Sequence, residues 1–169
     1  MANRRQFFIG FIILTIGTMF YFVGRTEGSS YLQAKLPQAD RVFPHVPNLF
    51  GGLGGSFPEF VHPFAFSLMA IGLVSRTRRS RLWICLIFLF MNALFEIGQG
   101  CGSFVGEYIP QWFNRVFLIE NIDNYFSEGT FARADLIASL VGSTLAFSVA
   151  EFTLEKQERT NEGLPQTTL

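Results

Sequence analysis

A chain of 169 residues in which 49% are hydrophobic, 21 are Phe and only 15% are charged is too apolar for an ordinary soluble domain, and it reads as a membrane protein. Thirteen Lys and Arg balance thirteen Asp and Glu. Without a cationic excess to hold a phosphate backbone, no nucleic-acid partner is expected. The apolar content excludes disorder. Two cysteines are too few for a disulfide scaffold, and a helix leading from Cys85 toward Cys101 parts them by roughly 20 Å, so both are expected as free thiols.

The first element is the charge-free run of residues 7–24. It is long enough to cross hydrocarbon as a helix, the form in which a single segment satisfies its own backbone there. Arg4-Arg5-Gln6-Phe7-Phe8 has a faint twin-arginine look, but the stretch is too long for a usual signal core and no small-x-small cleavage site follows it. Gly10, Gly17 and Gly24 recur every seven residues and offer a seam for close helix approach, unless the spacing is chance. The loop that follows contains Gly51-Gly52-Leu53-Gly54-Gly55, which lacks the Lys-Ser or Lys-Thr and the preceding strand of a phosphate loop. Together with Pro37, Pro44, Pro47 and Pro58 it is expected to form a pliable turn back to the bilayer.

Residues 57–75 make the second span, with Glu59 and His62 at its start, and residues 82–98 the third, apolar until Glu96. In the loop after it, Ile109, Trp112, Phe113, Val116 and Phe117 follow a helical i, i+3, i+4, i+7, i+8 pattern behind Pro110. This predicts a short amphipathic helix, lying on the outer membrane surface with Trp112 and Phe113 at headgroup level or packed on its own bundle. Residues 134–150 form the fourth span, with Asp135 at its leading edge and a small-residue row of Ala138, Gly142, Ala146 and Ala150 for tight packing. Residues 1–150 thus form one membrane domain. The polar tail, 151–169, is expected to prolong the last helix, fray and become disordered.

Cations set the orientation, because short loops rich in Lys and Arg stay in the cytoplasm. Arg4 and Arg5 precede the first span, Arg76, Arg78, Arg79 and Arg81 join the second to the third, and Lys156 and Arg159 follow the fourth. The longer connections hold Arg25, Lys35, Arg41, Arg115 and Arg133. The expected architecture is an all-α membrane protein. It is a four-transmembrane-helix bundle with an interfacial helix in its second outer loop, multi-pass, with both termini cytoplasmic.

Ionisable groups at a span face protein, a partner or water, since exposing them to lipid costs a few kcal/mol or more. Here they gather at one end. Glu59 and His62 open the second span, Glu96 and Gln99 close the third, and Arg133 and Asp135 open the fourth. Glu96 and Gln99 are three apart and share a helix side; Asp135, Ser139 and Gly142 make one stripe. These six polar residues are the candidate binding cluster.

Glu59-Phe60-Val61-His62, then Glu96-x-x-Gln99, then Gly129-Thr130-Phe131-x-x-x-Asp135 with Gly142, in this order and at a shared membrane depth, resemble the VanZ-like family of small bacterial integral membrane proteins. The resemblance covers roughly residues 57–150 and includes Ile109-Pro110-x-Trp112-Phe113. It implies a bacterial cytoplasmic-membrane location and a link to low-level resistance to glycopeptide antibiotics of the teicoplanin type. Most members are uncharacterised, so it names a fold better than a reaction. Gly129 stands where many members have Arg, Ala132 where related branches have Asp, and Ser139 where Asn usually follows the Asp by four. Arg133 is the neighbouring cation that could take the absent arginine's place.

Three function classes follow. The first is binding of a lipid or lipid-linked envelope headgroup, with Arg133 and His62 as donors, Glu96 and Gln99 orienting them and Trp112 at the lipid edge. The second is a membrane-embedded enzyme on a lipid-linked substrate, with His62 or Glu96 as general base. No His-Glu-x-x-His, Gly-x-Ser-x-Gly or Cys-x-x-Cys is present. A metal held by Glu59, His62, Glu96 and Asp135 would have one histidine only, so neither metal nor cofactor is expected. The third is a non-catalytic accessory subunit or scaffold in which Glu96 and Asp135 pair with Arg133 and His62 to fix helix register. Transport ranks last, because one chain with its ionisable groups at one end builds no midplane site, although a homo-oligomer could.

Overall fold

A computed structural model describes residues 3–24, 51–74, 77–110, 112–113, 122–127 and 129–162. Among these every regular element is a helix. Four long helices, α1 (Arg4–Gly24), α2 (Gly51–Val74), α3 (Arg78–Gly100) and α6 (Arg133–Glu162), are accompanied by two short ones, α4 (Gly102–Tyr108) and α5 (Ile122–Ser127). Three segments, Gly55–Val74, Arg78–Gly100 and Arg133–Leu154, are long and apolar enough to cross a membrane. The loop of residues 25–50, with its prolines and His45, lies outside the described residues.

Local chemistry sets several helix ends. The Asn3 side-chain oxygen accepts from the Arg5 and Gln6 amides at 3.1 and 3.4 Å and caps α1. Thr77 caps α3 through a reciprocal pair with Ser80, the Ser80 amide donating to Thr77 Oγ1 at 3.1 Å and the Thr77 amide to Ser80 Oγ at 3.2 Å. Two expected boundaries change. The glycine run predicted as a turn is the first turn and a half of α2, which continues through Pro58 and Pro63. In apolar surroundings a helix keeps its backbone satisfied, and Pro and Gly that would break it in water are tolerated there. At the other end, α6 runs unbroken past residue 150 to Glu162.

Packing centres on α2. Its segment Gly55–Val74 is 44% buried against 11% for Arg78–Gly100, so α2 is the core helix and α3 mostly faces outward. Val61, Phe64, Ala65, Leu68 and Ile71 of α2 are buried, and Phe64, Leu68 and Ile71 form one core cluster with Cys85 of α3 and Ala146 and Ala150 of α6. Small residues let backbones touch. A methyl on Gly10 would lie 2.6 Å from the Ala65 carbonyl, and one on Gly17 would lie 2.5 Å from Val61, so both glycines form the α1 seam on α2. On the other side a methyl on Gly142 would collide with the Phe60 carbonyl, which fixes the α2–α6 crossing. Exposed apolar side chains such as Phe8, Ile12 and Ile16 on α1, Trp83, Ile87 and Phe90 on α3 and Ile137 and Leu140 on α6 form a belt suited to hydrocarbon contact.

Candidate functional site

The C-terminal end of α3 and the N-terminal end of α6 lie side by side. Glu96 is only 5% exposed, and its carboxylate accepts a hydrogen bond from the Ala132 amide, just before α6 begins. Asp135, in the first turn of α6, donates its amide to the Ala132 carbonyl at 3.0 Å, so Ala132 links it to Glu96. One turn further in, Ser139 Oγ donates to the Glu59 carbonyl at 3.1 Å, tying α6 to α2. The first contact positions Arg133 and the second positions the opening of α2.

Aromatic residues close this end. Gly98 and Gly102 leave a notch for Phe126 of α5; a methyl on Gly98 would lie 2.6 Å from its ring, and one on Gly102 would strike its carbonyl. Phe126 stacks on Phe95 with ring centres 5.8 Å apart. Phe131 lies against Gly100. The buried Glu96 therefore sits on a helix end covered by apolar rings, a setting in which a carboxylate needs the hydrogen bond it receives.

The six cluster residues are not all drawn into one network. Glu96, Asp135 and the Glu59 backbone belong to the α2–α3–α6 junction. His62 is exposed and stacks on Phe66 at 6.0 Å, which stacks in turn on Phe88 of α3 at 6.0 Å. No hydrogen bond or ion pair among the described residues joins His62 to Glu96, Asp135 or Arg133. Gln99 is half-buried. Arg133, the first residue of α6, is exposed, and its side chain has no ion-pair or hydrogen-bond partner among the described residues. Trp112 and Phe113 form a single tight turn with ring centres 4.1 Å apart, the Phe113 amide donating to the Pro110 carbonyl at 3.0 Å. Trp112 is exposed. The rest of that predicted amphipathic helix, Gln111 and residues 114–117, lies outside the described residues.

No three His, Cys, Asp or Glu side chains among the described residues come together in a way that could hold a metal, so the four-ligand constellation conceived above does not assemble. Cys85 is buried, Cys101 exposed, and both are free. The arrangement can accept backbone hydrogen bonds at Glu96 and present a guanidinium at Arg133. Among the described residues neither His62 nor Glu96 is hydrogen-bonded to a hydroxyl or thiol.

A second polar constellation, at the opposite end, escaped sequence reasoning. Gln6 is buried and donates to the Ala150 carbonyl at 3.0 Å and to Thr153 Oγ1 at 2.9 Å, joining α1 to α6. Arg81 Nε meets Glu151 Oε1 at 2.7 Å, with Arg78 Nε 3.7 Å from the other carboxylate oxygen. Arg81 therefore does more than signal topology. Antiparallel threading alone brings the start of α3 beside the end of the fourth apolar segment, so the depth argument used for Glu96 and Asp135 would have paired Arg81 with Glu151. The chain matches no family model, no curated protein and no solved structure.

Proposed function

We propose that this is a four-span membrane protein of VanZ-like type whose outer end binds an anionic headgroup, of a membrane lipid or a lipid-linked envelope component, through Arg133. The observation that carries the reading is how charge is used around Ala132. The buried Glu96 carboxylate takes the Ala132 amide, and the adjacent Arg133 is left exposed without an acidic partner among the described residues. A guanidinium at a membrane interface, with a planar fork of donors and no internal acceptor, suits a phosphate or carboxylate oxygen pair. Glu96 is then a positioning residue that holds the start of α6, Asp135 shapes the local field and Trp112 contributes an interfacial ring.

The placement rests on physical consistency. α1 packs lengthwise on α2, its charge-free residues 7–24 match a hydrocarbon thickness, and the arginine-rich ends of α1 and α3 favour a cytoplasmic location in a bacterial inner membrane. Binding ranks above catalysis on the surroundings of His62, whose partner is a phenylalanine ring. It ranks above a purely structural clasp on the state of Arg133, since a clasp would close the arginine on Glu96 or Asp135.

The test is the lipid profile of the detergent-extracted protein. Wild type is expected to retain an anionic lipid or lipid-linked component that Arg133→Ala loses and Arg133→Lys partly keeps, while Glu96→Gln weakens retention without abolishing it. Identical profiles for wild type and Arg133→Ala would overturn the proposal.

A further inference from the structure

A groove of about 310 Å³ lies between α1 and α2 at the end remote from Arg133, lined by Arg4, Phe7, Phe8, Gly72 and Leu73. Its origin is local. Gly72 has no side chain, and α1 sits so close that a methyl there would lie 2.8 Å from the Phe7 amide nitrogen and 2.9 Å from the Asn3 carbonyl. The Asn3 amide donates to the Gly72 carbonyl at 2.7 Å and closes the contact. Beside this junction the Phe7, Phe8 and Leu73 side chains leave an apolar slot, with Phe8 and Leu73 more than half exposed on its walls.

Charge says what the slot accepts. Among the described residues Arg4 is the one charged group lining it, and its guanidinium has no acidic partner there. Arg5 and Arg79, at the same end, are exposed and likewise unpaired, while the nearby Glu151 is engaged by Arg81. An apolar slot beside an arginine with no acidic partner, at the end of a membrane-length helix, suits the two parts of a phospholipid, an acyl segment and a phosphate.

We propose that this groove binds one anionic phospholipid, its acyl segment along Phe7, Phe8 and Leu73 and its phosphate on Arg4. The site is separate from the one at Arg133 and does not depend on it. It favours lipids with net negative charge over zwitterionic ones, because among the described residues no anion pairs with Arg4 or lines the slot to hold a cationic headgroup moiety.

The full chain in mild detergent, titrated with phosphatidylglycerol or with phosphatidylcholine of the same chains and read by native mass spectrometry, tests this. The expected result is about tenfold preference for phosphatidylglycerol, the scale of one charge-assisted contact. Arg4→Gln should reduce that preference to near unity. Leu73→Trp, which fills the slot from an exposed position, should weaken both lipids and identifies the groove's occupant against any lipid held near Arg133. Arg79→Gln serves as the control cation and should leave the preference in place. Inorganic phosphate and glycerol phosphate, added as competitors, should not displace the lipid at equal concentration. Equal affinity for the two lipids, an Arg79→Gln loss as large as that of Arg4→Gln, an unaffected Leu73→Trp, or displacement by phosphate alone would each overturn the proposal. Far-UV circular dichroism accompanies every variant, and if Arg4→Gln fails to fold, the Leu73→Trp arm decides.

Discussion

Gly142 and Gly55 give the α2–α6 crossing a test in which the same substitution acts in opposite directions. Both glycines lie inside helices, where alanine is intrinsically favoured by up to about 1 kcal/mol. At Gly55 an added methyl meets nothing within 4 Å, so Gly55→Ala should stabilise by about 0.5 to 1 kcal/mol. At Gly142 the methyl would strike the Phe60 carbonyl and come within 3.3 Å of Pro63. A helical carbonyl cannot rotate aside as a side chain can, so the helices must part. Overpacking of this kind costs about 1 to 3 kcal/mol, and after the propensity gain Gly142→Ala should be less stable by up to about 2 kcal/mol. Parting the helices also stretches the 3.1 Å bond from Ser139 to the Glu59 carbonyl, so Ser139→Ala should cost less in the Gly142→Ala background than alone. The assay is reversible unfolding in mixed micelles followed by circular dichroism. Gly142→Ala at or above wild-type stability, or Gly55→Ala as destabilising as Gly142→Ala, would refute the reasoning.

Two further outcomes follow from the ends of the bundle. Removing the carboxylate with Glu151→Gln leaves Arg81, whose side chain is 11% exposed, with a weaker acceptor; a loss of about 1 to 3 kcal/mol is expected, with a favourable coupling between Arg81→Met and Glu151→Leu in a double-mutant cycle. A coupling near zero in unfolding free energy would dismiss the pair as incidental. For orientation, Cys101 is a natural exposed reporter next to the end of α3, and Cys85 is buried. An impermeant maleimide should label Cys101 in intact cells, whereas Thr77→Cys in a Cys101→Ser background should react only after permeabilisation; the reverse pattern would invert the proposed topology.

What the sequence made legible was depth. Runs without charge mark the interiors of α2, α3 and α6, and ionisable residues stand at their edges, because burying a charge in an apolar layer is costly wherever the chain goes. Helix ends were less legible. Gly51, Pro58 and Pro63 carry turn signals calibrated in water, and the apolar surroundings of α2 outweigh them. Rotation about each helix was the least legible. His62 and Phe60 are two residues apart, or about 200° around the axis; the Phe60 ring stacks on Phe64 and its carbonyl meets Gly142 of α6, while His62 points to another side and stacks on Phe66. Periodicity says which residues share a side but not which neighbour that side meets.

The two polar ends also differ in kind, and the difference bears on function. At one end Arg81 and Glu151 close on each other at 2.7 Å, so the cation and anion there are consumed in joining α3 to α6. At the other end the same two helices meet again, with Glu96 and Asp135 on one side of the balance and Arg133 on the other, yet the buried carboxylate is satisfied by a backbone amide. A register clasp needs only the first pattern. Satisfying Glu96 through Ala132 and leaving Arg133 exposed keeps the helices joined while a cation stays available to an outside anion, which is why headgroup binding is proposed for Arg133 and a joining role for Arg81.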